Sequence, residues 1–171
     1  MKNNITLYEA IELRAEMEAR IKTMESLRPE REERGFFRDS DAEVQAALGF
    51  DLASIEAEIE RFKMLRRKLN AVIQEANHKI KVEADCQTLS LAEALELRKE
   101  TNENIGRLSA ELRHAAWLRV IHKEERDVVR NPTRSFELVK NLLEEHRLRF
   151  RSLVAAIHDA NHQTSVNFYE Q

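Results

Sequence analysis

A chain of 171 residues with 35% charged side chains, only 3 Gly and 2 Pro has the composition of long helices and not of a sheet protein. Its 42% hydrophobic content is enough for a bundle core and excludes wholesale disorder, while a formal net charge of -3, with both signs mixed throughout, excludes a concentrated basic footprint for nucleic acid. The single Cys86 excludes an internal disulfide framework and fits a reducing compartment.

The opening Met-Lys-Asn-Asn-Ile-Thr enters an amphipathic segment without the apolar stretch of a signal peptide. Nowhere does an apolar run approach the roughly 18 residues of a membrane span. The expectation is a soluble, cytoplasmic protein with no transmembrane segment.

Thr6-Leu7-Tyr8-Glu9 fits a capping box, in which the hydroxyl serves the third helical N–H and the Glu reaches back. It predicts a first helix from Leu7 to Ser26, with Leu7, Ala10, Ile11, Met17, Ile21 and Met24 on one face. A long connection over 27–50 follows, heavily charged from Pro29 to Asp41. It holds a short helix capped by Ser40 and Glu43 and stopped at Gly49. Asp51 then caps a second helix whose apolar seam runs Leu52, Ile55, Ile59, Phe62, Arg66, Leu69, Ile73, Ala76 and Ile80, in steps of three and four.

After a short connection over 81–89, Ser90-Leu91-Ala92-Glu93 forms a second capping box. The third helix is predicted from Leu91 to Trp117, with Leu91, Ala94, Leu95, Ile105, Leu108 and Leu112 on one face. A second long connection over 118–135 carries the charged stretch His122 to Arg130 and ends after Asn131-Pro132. Ser135 caps the fourth helix, with a seam of Phe136, Val139, Leu143, His146, Phe150, Leu153, Ile157 and Ala160.

These elements are one unit written twice. Leu7, Glu9, Ala10, Glu12, Leu13, Arg14, Glu16 and Ile21 recur 84 residues later as Leu91, Glu93, Ala94, Glu96, Leu97, Arg98, Glu100 and Ile105. The same offset carries Leu69, Ala71, Ile73, Ala76, Asn77, His78 and Val82 onto Leu153, Ala155, Ile157, Ala160, Asn161, His162 and Val166. The predicted fold is therefore all-α: a four-helix bundle of two tandem helical hairpins, residues 1–84 and 85–171. Together they form one compact, pseudo-twofold domain with long within-hairpin loops.

The repeated Leu-x-Glu-Ala-(Ile/Leu)-x-Leu-Arg, with an Asn near the end of helices two and four, resembles the small bacterial proteins labelled septicolysin-like, a domain family of unknown function. The resemblance spans most of the chain, and that family shows the same doubling. It implies a cytoplasmic helical protein that oligomerises, without an established reaction. The label also implies an oxygen-labile haemolysin, for which this chain offers neither an export signal nor a bilayer-inserting stretch.

Several constellations are candidates for chemistry. His158-Asp159-Ala160-Asn161-His162 places two imidazoles at i and i+4 on one helix face, the spacing of a zinc chelate in a metal-dependent hydrolase. Its repeat partner, Gln74-Glu75-Ala76-Asn77-His78, lacks the first His, and no third ligand is marked by spacing. Glu75 with His78 and Asp159 with His162 also have the carboxylate-x-x-His spacing of a di-iron bundle. At roughly 100° per residue, however, Glu75 and His78 point away from the Ile55-Leu69-Ile73 seam.

Arg14 and Arg98 fall within the apolar sectors of their helices, where a guanidinium needs acceptors. They read either as structural arginines that snorkel or pair, or as an anion or ligand site presented twice. Phe36-Phe37, inside a charged loop, and Trp117, off the main stripe of its helix, are candidate anchors for a partner or a second subunit. Asn77 and Asn161 read as helix terminators, and His146 as a core histidine.

The leading expectation is a non-enzymatic protein that acts by self-association or partner binding and needs no cofactor. The alternatives are a metal-binding protein or hydrolase using His158, Asp159 and His162, or a cytolysin of the septicolysin type.

Overall fold

A computed structural model describes residues 4–28, 49–84, 87–122, 124, 126 and 128–169. In chain order the elements are β1 (Asn4–Thr6), α1 (Leu7–Glu25), α2 (Leu52–Lys79), β2 (Lys81–Ala84), β3 (Gln87–Ser90), α3 (Leu91–Ala115), β4 (Arg119–Ile121), β5 (Val128–Arg130), α4 (Phe136–Gln163) and β6 (Ser165–Asn167). The protein is mostly helical, and its strands pair as β1–β6, β2–β3 and β4–β5, each pair antiparallel. The chain divides into two compact units. One is Met1–Ala76 with Ser165–Gln171, and the other is Asn77–Thr164.

The local start signals act as the sequence predicts. The Thr6 N–H donates to Glu9 Oε2 at 2.7 Å while the Glu9 N–H donates to Thr6 Oγ1 at 3.1 Å. Ser90 and Glu93 repeat this at 2.7 and 3.2 Å. These reciprocal bonds satisfy N–H groups that a helix start otherwise leaves unpaired. Asp51 Oδ1 accepts from the Ala53 N–H at 3.1 Å, and Ser135 caps α4. Ahead of α2, Gly49 turns the chain with φ 87, a conformation that favours a residue without Cβ.

In the first unit α1 and α2 lie side by side and antiparallel. Arg14 reaches Asn70, Glu18 reaches Arg66, Glu25 reaches Lys63 and Arg28 reaches Glu56, so positions rise along one helix as they fall along the other. Leu7, Ala10, Met17 and Ile21 of α1 are buried, as are Ile59, Leu65, Leu69 and Ile73 of α2. The seam of α2 thus passes through Leu65 and not Arg66. Leu65 is buried one turn before Leu69, and Arg66 is half-buried next to it.

In the second unit α3 and α4 pack on each other, burying Leu91, Ala94, Val139, Leu143, Leu153 and Ile157. Burial thins along α3, where Ile105, Leu108 and Leu112 are only half-buried. Asn77 and Asn161 do not terminate their helices. Each is followed by two more helical residues, ending α2 at Lys79 and α4 at Gln163.

The mostly helical chain also carries small antiparallel sheets that were not expected. Residues 81–89, expected as a plain link, form the β2–β3 hairpin, and 118–135 hold the β4–β5 ribbon. Their registers carry a further regularity. Across β2–β3, Lys81 faces Ser90, Val82 faces Leu89 and Glu83 faces Thr88. Across β1–β6, Ser165 faces Thr6, Val166 faces Ile5 and Asn167 faces Asn4. Adding 84 to the first member of each pair and subtracting 84 from the second converts one sheet into the other.

Candidate functional site

The sequence-predicted residues separate into three places. Arg14 sits half-buried on α1, its Nη1 donating to Asn70 Oδ1 at 3.2 Å. Around it, Glu18, Arg66, Arg67 and Asn70 line a groove of about 340 Å³. Arg66 Nη1 stands 3.9 Å from Glu18 Oε1, the outer limit of an ion pair. The groove therefore brings three guanidinium groups together against one carboxylate. Arg67, exposed, was not singled out by sequence reasoning. Neither was Asn70.

Arg98 does not recreate this setting. The residue 84 positions after Asn70 is Val154, and the one after Arg66 is Phe150. Without an amide acceptor opposite it, Arg98 is exposed. The groove around Arg14 thus has different residues at the equivalent places around Arg98.

The metal candidates all lie on helix surfaces. His158, Asp159 and His162 are exposed on α4, and Glu75 and His78 are exposed near the end of α2, facing away from the buried stripe as the helical phase predicts. Among the described residues no three His, Cys, Asp or Glu side chains gather into a group that could hold a metal ion. His146 is half-buried on α4. Phe36 and Phe37 lie outside the described residues, as do Cys86 and the short helix predicted around Ser40 and Glu43.

Trp117 is the third place. It follows α3, is 78% exposed, and leads into the β4–β5 ribbon. Leu118, 62% exposed, comes next, and Val120, Ile121 and Val129 of the ribbon are exposed too. Val120 and Val129 are cross-strand partners and so share one face, while Ile121 points to the other. Every residue of β4 is exposed, as is Val129 of β5, while Val128 is half-buried. Phe136, at the start of α4, is exposed as well, although it was placed on the seam. The sequence signal for the ribbon was the paired β-branched residues Val120-Ile121 and Val128-Val129, the first just ahead of the charged stretch His122 to Arg130 and the second inside it.

Hydrogen bonds from the Ser90 hydroxyl and then its backbone N–H hold the Glu93 carboxyl below its ordinary value. The Lys63–Glu25 bond, at 2.9 Å, lowers Glu25 and raises Lys63. No helix among the described residues is long and apolar enough to cross a membrane. Compared with protein-family models, curated proteins and solved structures, the chain matches none.

Proposed function

We propose that this protein is a cytoplasmic, non-catalytic helical protein that works by associating with a second copy of itself through the β4–β5 ribbon. The observation that carries the reading is the exposure of Trp117 and Leu118 beside a ribbon whose Val120 and Val129, partners on one face, are exposed too. An isolated two-stranded ribbon is marginal in water, and its unpaired edges invite another strand. A tryptophan carries roughly 150–250 Å², so Trp117 with its exposed neighbours reaches the size of the largest apolar patches on a monomer, which often mark an interaction site.

A second copy is the occupant that fits best. Laid antiparallel across a twofold centred on Val120, β4 brings Arg119 opposite Ile121 of the other copy, so no like charges meet.

The reading includes the tandem origin of the chain. Two hairpin units of one ancestral design, related by the 84-residue offset, account for both the repeated sequence and the interchangeable sheet registers. It also includes the likeness to septicolysin-like helical proteins, which rests on the doubled Leu-x-Glu-Ala motif and supplies no reaction. Sedimentation velocity tests the central claim. A concentration-dependent dimer that Trp117→Ala and Val120→Lys dissociate supports it, and a strict monomer at high concentration overturns it.

A further inference from the structure

We propose that the groove formed by Arg14, Arg66, Arg67 and Asn70 is a binding site for a small soluble phosphate monoester or a comparable doubly charged oxyanion. The argument starts from what an arginine can do. A guanidinium only donates, so the Asn70 amide must present its oxygen to Arg14. That fixes the other end of the amide: Nδ2, with two N–H donors, is turned away from Arg14. Asn70 therefore orients one donor fork and supplies a second donor pair. A planar fork held in place by a neighbour is the arrangement that recognises phosphate and carboxylate oxygens.

Charge points the same way. Three guanidinium groups and one carboxylate leave an excess of two positive charges in the groove, which matches a phosphate dianion. Glu18 engages Arg66 only at 3.9 Å, and Arg67 makes no ion pair among the described residues. The groove's 340 Å³ lies at the lower end of small-ligand sites, which excludes a large cofactor and admits a phosphorylated small molecule.

Comparison between the two copies supplies an independent line. At the equivalent places the second copy has Arg98, Asn102, Phe150, Arg151 and Val154. There an apolar pair replaces Arg66 and Asn70, and the hairpin still closes with Phe150 and Val154 half-buried. Closing a hairpin of this design thus does not require the polar set. Its concentration in one copy calls for another role, and a ligand provides it. This inference stands on the first unit alone and does not depend on self-association.

The test is an NMR titration of isotope-labelled protein with inorganic phosphate and with pyrophosphate, against chloride at matched ionic strength. Saturable shifts are expected at Arg14, Arg67 and Asn70, with a dissociation constant of about 1 mM or tighter for pyrophosphate. Arg14→Gln and the exposed Arg67→Gln should each weaken binding about tenfold, the loss typical of one charge-assisted contact. Asn70→Val, which installs the second copy's residue, should weaken it as well, and Arg98→Gln should leave it unchanged. Shifts that chloride reproduces, that never saturate, or that persist in Arg14→Gln and Arg67→Gln overturn the proposal.

Discussion

Ile5 lies opposite Val166 across the β1–β6 ladder, although almost the whole chain separates them, in the register that Leu89 keeps with Val82 across β2–β3. In the second sheet only residues 85 and 86 intervene between strands. The same pairing is thus made once between strands that are neighbours in sequence and once between strands far apart in the chain. The sheets flank equivalent helix ends. β2 follows α2 and β3 precedes α3, just as β6 follows α4 and β1 precedes α1.

That equivalence predicts a tolerated circular permutation. Joining Phe168 to Asn3 through a two-residue turn and opening the chain between Ala84 and Gln87 exchanges the roles of the two sheets. The permuted protein should keep its far-UV circular dichroism and a cooperative melt within about 5 °C of the parent. A chain that no longer melts cooperatively would show that the sheets are not interchangeable.

Trp117 and Val120 are predicted to dominate self-association. Central aromatic anchors commonly cost at least about 2 kcal/mol when truncated, so Trp117→Ala should raise the dimer dissociation constant by about 30-fold. Val120→Lys puts a charge on the open face and should act similarly. Both positions are exposed, so the monomer's own melting temperature should barely move. Sedimentation velocity and calorimetry, run together, separate these effects.

The Ser90–Glu93 box predicts a pH dependence with a definite sign. Glu93 is held below its ordinary value, chiefly by the Ser90 hydroxyl and then by the Ser90 N–H. Its contribution is complete above the ordinary carboxylate value and is lost as pH falls through the lowered one. Glu93→Gln should therefore melt earlier than the parent at neutral pH, and the gap should close in acid. Ser90→Ala, which removes the cap itself, should cost about 1 kcal/mol at neutral pH. Thermal melts across the acid range, comparing parent and variants, measure both.

Leu69 and Asn70, neighbours on α2, should respond in opposite ways to substitution. Leu69 is fully buried, and Leu69→Ala should cost about 2–5 kcal/mol through lost burial and the cavity left behind. Asn70→Val, which copies Val154, should change stability by no more than about 1 kcal/mol, because the half-buried Arg14 can turn to water. Urea unfolding of the two variants gives the comparison directly.

What the sequence discloses follows the range of the forces involved. Capping boxes at Thr6 and Ser90 are settled by atoms three residues apart, and the buried stripes of α1 and α4 by helical period, so both are legible. The strands are not. Three residues such as Asn4–Thr6 carry almost no pattern of their own and become a strand only through a partner near the other end of the chain. Leu65 was overlooked because steps of four from Phe62 land on Arg66, and only packing against α1 decides between neighbours.

The arginines show the same boundary. Arg14 stood out because it interrupts an apolar sector, yet its repetition as Arg98 suggested a twin site. The difference lay at Asn70 and Val154, visible by the 84-residue offset but given meaning only once Asn70 is found across from Arg14. Trp117 was legible as an oddity of its helix face. The ribbon that surrounds it was masked by the charges of its own sequence.

The chain's single tryptophan is also its most exposed large apolar side chain among the described residues. Trp117 therefore meets nearly the same watery surroundings in the folded monomer as in the unfolded chain. Its emission will be almost silent when the helices melt and will shift to the blue when something covers the ribbon. Without any label, the protein carries an optical gauge that is blind to its folding and tuned to its company.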